Sequence, residues 1–167
     1  GVNNANVSGT LGEATADNSI VLGGNAGTDS LGERQSITVL YGTETTDNST
    51  VDSYLNNTTD SYFVIPDNTI VAFQTETVAV RIGGTGAGAV GDFKAFIETG
   101  VAINKSGVLS IDKTRVIIAN SGSTAGWISD ISVSGTNLVQ TVKGANNRDI
   151  MWATTIRMTQ IKTGVTL

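Results

Sequence analysis

The stretch RIGGTGAGAVGDFKAF, residues 81–96, decides how the whole chain is read. Gly86, Gly88 and Gly91 within it spell G-x-G-x-x-G, the glycine fingerprint of a dinucleotide-binding turn. That turn needs a strand before it, a helix after it and an acid about 20 residues further on. Asp112, 21 residues past Gly91, meets the last condition. The helix is missing. After Gly91 come the eight residues DFKAFIET and then Gly100, with Phe93, Ala95 and Ile97 alternating as in a strand. That is too short for a helix whose N-terminus would hold a pyrophosphate, and it leaves no room for a crossover between parallel strands. GGTGAGAVG, 83–91, therefore reads as a long hairpin loop and not as a nucleotide site.

Working outward, strand signals lie on both sides. SYFVIP (61–66) ends at Pro66, the only proline. NTIVAFQTETVAVRI (68–82) puts Val71, Phe73, Thr75 and Thr77 on one face and Ala72, Gln74, Glu76 and Val78 on the other. The apolar register shifts near Thr77, which predicts a bulge there. GVLSI (107–111), TRVIIAN (114–120), WISDISVSG (127–135), NLVQTVKG (137–144) and IMWATTIRMTQI (150–161) follow. DISVSGTNLVQTVKG reads as a hairpin turning at Gly135, Thr136 and Asn137. Strands at this spacing suggest a sandwich or jelly roll, and no segment sustains a helical period.

Composition agrees and narrows the chemistry. The chain has 167 residues, 20 of them glycine, and is rich in Thr, Val, Ser and Asn, residues of pleated surfaces and turns. Its net charge of −5 lacks the basic stripe a nucleic-acid binder needs. With no histidine and no cysteine, Ser-His-Asp and Cys-His devices and thiolate metal sites are excluded. No D-x-[DN]-x-[DN]-G calcium loop occurs; Asp17 and Asp47, each before Asn-Ser, read as Asx turns. No metal or cofactor is expected, and no apolar run reaches the length of a membrane span. Beginning at Gly1 and Val2, the sequence reads as a fragment or a processed chain.

Charge divides the chain near residue 58. Up to Asp60 there are 8 acids and one base, Arg34; from Ser61 onward there are 7 acids and 9 bases. The first part is repetitive: SIVLG (19–23) recurs loosely as SITVLYG (36–42), and TADNS (15–19) as TTDNS (45–49). Such short strands cannot bury a core alone and must stack on neighbouring coils or chains. The expectation is a repetitive trimerising β segment over 1–58 and a β-sandwich tip domain over 59–167.

Among candidate residues, Glu76, Glu98, Asp112 and Asp130 could supply the paired carboxylates of a glycosidase, although acids in alternating strands are usually solvated. Trp127 and Trp152 could be sugar-stacking platforms, but aromatics inside strands are more often core anchors. Tyr41, Tyr54 and Tyr62 are open to either use. N-x-[ST] triplets at Asn6, Asn48, Asn56, Asn57 and Asn104 arise readily in so Asn- and Thr-rich a chain.

Two resemblances join these readings. NSIVLGGNA (18–26) resembles the short coils in the head region of trimeric autotransporter adhesins, which also occur in phage tail fibres. The ordered series Ile65 to Asn68, Trp127 to Ile131, Leu138 to Gly144 and Ile150 to Ile156 is similar to the C-terminal domain of phage tail-fibre proteins. Its glycine loop is shorter than that family's usual one. The resemblance implies an all-β homotrimer: β-prism- or β-roll-like coils followed by a sandwich or jelly roll. It also implies a place at the fibre tip outside the cell and adhesion to a host-surface receptor, a glycan or a protein. It supplies no catalytic motif, so no enzyme, no nucleic-acid partner and no membrane insertion are expected. Binding would come from loops on a rigid scaffold. The candidates are the polar tip Gly144, Ala145, Asn146, Asn147 and Arg148, with Asp92 at the end of the glycine loop. A purely structural fibre cap or capsid decoration protein, or a fragment of a bacterial adhesin, shares the same features. A depolymerising tailspike would use the carboxylates.

Overall fold

The alternation read in 68–82 becomes a strand of 15 residues, Thr69–Gly83, and the same period-two logic builds most of the chain. The computed structural model describes residues 6–8, 19–23 and 33–167. The strands are β1 (Asn6–Ser8), β2 (Ile20–Gly23), β3 (Glu33–Thr45), β4 (Thr50–Leu55), β5 (Phe63–Val64) and β6 (Thr69–Gly83). They continue with β7 (Phe93–Lys105), β8 (Val108–Asn120), β9 (Ile128–Ser134), β10 (Asn137–Lys143) and β11 (Asp149–Lys162). Among the described residues there is no helix, so the protein is all-β as its composition implies. The sequence calls on 1–5, 9–18 and 24–32, including the TADNS turn at Asp17, lie outside the described residues.

All pairings are antiparallel except that of β1 with β2. The sheet runs β5-β10-β4-β3-β11-β6-β7-β8, with β9 on the other edge of β10 and β2 beside β3. It curls until β9 lies next to β7 and β8, so one face wraps a core. β3 and β4 precede the charge boundary near residue 58 yet sit inside this sheet; β3 pairs with β11 from Thr45↔Ile150 to Glu33↔Lys162.

The glycine loop joins antiparallel β6 and β7, which settles its reading as a hairpin. The bulge expected near Thr77 is absent. β6 keeps one register with β7 from Thr69 to Val80. Its inward positions continue through Thr75, Thr77, Ala79 and Arg81, all buried. The later apolar residues Val78 and Ile82 simply face outward, exposed, and mimic a register change in the sequence. Real shifts occur at Asp149/Ile150 and at Ala95/Phe96. GVLSI and TRVIIAN are one continuous strand, β8.

The enclosed face has three layers. Val71, Phe73, Ile131, Leu138, Ile156 and Met158 belong to one apolar cluster. Ala79, Phe96, Trp127, Val142, Ile150 and Trp152 form another, with the two indoles tilted at a 6.1 Å centroid separation. Between them every contributing strand places a polar residue. Thr77 and Thr154 hydroxyls meet at 2.9 Å, the Ser129 hydroxyl donates to Thr77 at 3.1 Å, and the Gln140 amide donates to Ser129 at 2.8 Å. Both tryptophans are core residues, so the stacking-platform reading falls away.

Tyr41 is also core. Its hydroxyl donates to the Leu138 carbonyl at 2.9 Å and accepts the Phe63 amide at 2.7 Å, tying β3 to β10 and β5. Burial raises its pKa, opposed by the Phe63 amide. Tyr41→Phe strands a buried amide and a buried carbonyl, so it should destabilise the chain by about 1–3 kcal/mol in equilibrium urea unfolding.

Candidate functional site

Two places gather polar side chains: one end of the curled sheet, where three loops meet, and the seam where β9 approaches β8.

The loop end is built on Arg81. The parity that buries Val71 and Phe73 also turns Arg81 inward, where it is 3% exposed. Its guanidinium donates to the carbonyls of Gly83 at 2.8 Å, Gly84 at 2.8 Å, Gly86 at 2.9 Å and Ala87 at 3.0 Å. The glycine loop is thus folded around a buried cation. It also docks on the 144–149 tip, with the Gly86 amide donating to the Asn147 carbonyl at 2.7 Å. Gly84, at φ +86°, lies so close to Asn147 and Arg148 that any side chain would collide.

A third loop, residues 121–127, joins them. The buried Lys94 ammonium donates to the carbonyls of Thr124 at 3.1 Å and Trp127 at 2.9 Å. Arg148 Nη1 donates to the Ser123 carbonyl. Asp92 accepts the Ala89 amide at 2.8 Å and lies against Gly88 and Gly122.

The structure therefore brings the sequence candidates to one end. Asn146 and Asn147 are exposed, Ala145, Arg148 and Asp92 half-buried. Gly144 is buried against Thr45, with no room for a side chain. Arg81, Lys94 and the 121–127 loop were missed. The signal was there for two of them: a cation at an inward parity position, just before or just after a glycine-rich loop, needs local carbonyls to satisfy it.

The seam is built on Glu98, whose side chain is 0% exposed. Its Oε2 accepts the Lys113 ammonium at 3.2 Å and the Ile131 amide at 3.2 Å, and Oε1 lies 3.5 Å from the Ser129 hydroxyl, sharing that group's one proton with Thr77. Lys113 also pairs with Asp130 at 2.6 Å and donates to the Ile131 carbonyl. Arg115 donates to the Ser129 carbonyl at 2.6 Å. Side chains of β7 and β8 thereby satisfy the free edge of β9, where no backbone ladder forms. Of the four carboxylates singled out in the sequence, Glu98 and Asp130 meet on one ammonium. Glu76 instead pairs with Arg157 at 2.8 Å on the outer face, and Asp112 is exposed on β8. A glycosidase acid must reach its substrate; Glu98 is sealed and its oxygens are spent on the seam.

Elsewhere, Asp47 accepts the Ser49 amide at 2.7 Å, the Asx turn expected there. Tyr54 and Tyr62 meet edge-on at 5.5 Å, and Tyr62 donates to Asp52 at 2.5 Å. That bond raises the Tyr62 pKa.

No protein-family model matches the chain, and no curated protein matches it. Solved structures with a partial likeness include phage tailspikes. That of Acinetobacter baumannii bacteriophage Fri1, a capsular polysaccharide depolymerase, aligns over 83% of this chain and 19% of its own, at 7% identity and TM-score 0.37. That of Acinetobacter baumannii phage AM24 aligns over 70% and 26%, at 11% identity and TM-score 0.33. That of Acinetobacter phage vB_ApiP_P1 aligns over 70% and 21%, at 16% identity and TM-score 0.35. The chain spans about a fifth to a quarter of the length of these tailspikes. The expectation that the chain is no enzyme is corrected by this finding, because the Fri1 protein that it partly resembles is by its own description a capsular polysaccharide depolymerase.

Two outcomes follow from the geometry. Lys113→Met leaves Glu98 buried without its cation and should cost about 3–5 kcal/mol in chemical denaturation. Asp130→Asn, at a rim position 41% exposed, should cost about 1 kcal/mol or less. The second concerns Lys94, whose pKa burial pushes below the lysine range, with the Arg115 charge adding to the effect. Its folded value then lies below its unfolded one. Between the two the unfolded chain holds more protons, so stability rises with pH on the approach to about 10.4. Lys94→Met should flatten that alkaline rise in denaturation midpoints measured between about pH 8 and about pH 10.

Proposed function

We propose that the chain is a receptor-binding module of a phage tail fibre or tailspike, carried outside the cell on the virion, homotrimeric, and directed at a host-surface glycan. The observation that carries this reading is the loop end: two loops fixed to a rigid sheet by buried cations, a third docked on them through the Gly86–Asn147 bond, and Asn146 and Asn147 exposed. Loops of this kind bind with little ordering cost because the scaffold has already met it. The ordered tail-fibre-like pattern of residues 65–156 supports the virion assignment.

The homotrimer is supported by the outer face. Val78, Ile82, Phe93, Val116 and Met151 are exposed on neighbouring strands, β11, β6, β7 and β8. An apolar band of that extent on a sheet is normally covered by another chain. In this reading residues 1–58 contribute to trimerisation and residues 59–167 form the tip. Three copies would also multiply weak glycan contacts by avidity.

Light scattering coupled to size exclusion should give the mass of three chains, and Val78→Asp with Met151→Asp should reduce it to one. Binding of the trimer to purified capsular polysaccharide should fall when Asn146 is changed to Ala and Asn147, at φ +56°, to Gly, with the melting temperature unchanged. A monomeric wild type, or a trimer that binds neither capsulated cells nor isolated glycans, would remove the reading.

A further inference from the structure

Three cations lie at the loop end, and their hydrogen bonds run to carbonyls rather than to carboxylates. Arg81 donates to four carbonyls and Lys94 to two. Carbonyl dipoles satisfy the N–H groups of these cations but leave their full charge in place, behind loops that exclude water. The ion pairs of Lys113, Arg115 and Arg157 lie elsewhere. Two acids also lie at this end, Asp92, which accepts the Ala89 amide, and Asp149, beside Gly83; neither forms an ion pair with the three cations.

Arg148 differs from the other two. Only Nη1 is engaged, by the Ser123 carbonyl, and its Nε is buried without a partner. Trp127, at the root of the same loop, likewise keeps its indole N–H buried and unpaired. An unpaired buried donor on a charged group is costly, so native chains keep few of them. Nε is sealed from solvent, so a ligand would meet this half-buried guanidinium through Nη2, which has no partner among the described residues. The side chain runs beside Gly86, between the glycine loop and the 121–127 loop, next to the exposed amides of Asn146 and Asn147.

We propose that Arg148 anchors the carboxylate of an acidic host-surface glycan, one built with uronic or sialic acids, and that Asn146 and Asn147 bind its neighbouring hydroxyls. The field of Arg81 and Lys94 favours the anion without touching it. This rests on the loop end being the glycan contact, and it adds the class of sugar that end selects.

The test is an array of uronate- and sialate-bearing oligosaccharides printed beside their carboxyl-reduced forms and beside neutral glycans. The intact chain, Arg148→Gln and Arg148→Lys are compared on it, with melting temperatures recorded for each. The intact chain should bind at least one acidic glycan. Carboxyl reduction should weaken that binding about tenfold or more, Arg148→Gln should do the same, and Arg148→Lys should lose less. Carboxyl reduction is read on the unaltered protein, so a misfolded variant does not blur the result. Equal binding to acidic and carboxyl-reduced glycans overturns the acidic class and leaves the glycan reading intact. Acidic binding that Arg148→Gln leaves unchanged overturns the anchor. Binding to no glycan at all removes the glycan reading itself.

Discussion

One fully buried carboxylate holds the curled sheet closed. Glu98 reaches from β7 to the free edge of β9 and binds an amide there, while the Lys113 ammonium beside it takes the carbonyl of the same residue, Ile131. A backbone ladder would have done this with no side-chain chemistry. Here the strands are close but do not pair, and a charged pair substitutes. An ion pair out of water is seldom a net gain over apolar packing. Its use is specificity: only one register of β9 lets Glu98, Lys113 and Arg115 all find their atoms. The same layer continues through Ser129, Thr77, Thr154 and Gln140, so the polar belt joins β6, β7, β9, β10 and β11 at one level. Apolar clusters above and below can slide; a belt of directional bonds cannot.

The loop end uses the same device with the opposite sign. Arg81 and Lys94 are inward-facing cations whose partners are backbone carbonyls of loops, not side chains. Each organises a segment rich in glycine and serine that has little apolar surface of its own. The loops then brace each other through the Gly86–Asn147 bond and the Arg148–Ser123 bond. Burial energy from the strands is in this way transmitted to a tip that could not otherwise hold a shape.

Much of the sheet was legible in the sequence because period two is a strong signal. The inward face of β6, the β9–β10 hairpin, the hairpin reading of the glycine loop and the core placement of Trp127 and Trp152 all came from alternation and turn chemistry, although the β9–β10 turn is Gly135 and Thr136 alone, Asn137 being paired with Ser134. The bulge near Thr77 was misread because the outward face of β6 is itself apolar at Val78 and Ile82, so two faces looked like one that had slipped. Tyr41 could not be assigned: its partners, Leu138 and Phe63, lie 97 and 22 residues away. The convergence of Glu98 with Asp130, and of Asp92 with the 144–149 tip, was likewise invisible, since curling sets both and no local pattern encodes it. The polar belt could have been suspected from Ser129, Gln140 and Thr154, each at an inward position between apolar neighbours, with Thr77 and Glu98 at inward positions of β6 and β7.

The glycine loop is shaped from beneath. Its carbonyls are held by Arg81, while Thr85, Ala87, Ala89 and Val90 are exposed. Shape and sequence are therefore uncoupled along these positions. Substitutions there alter what a partner meets without disturbing the backbone that presents it. A lineage pressed to follow a changing surface could rewrite these four positions one at a time, with every intermediate still folded, so long as the arginine below, Asp92 and the close-packed glycines between them remained.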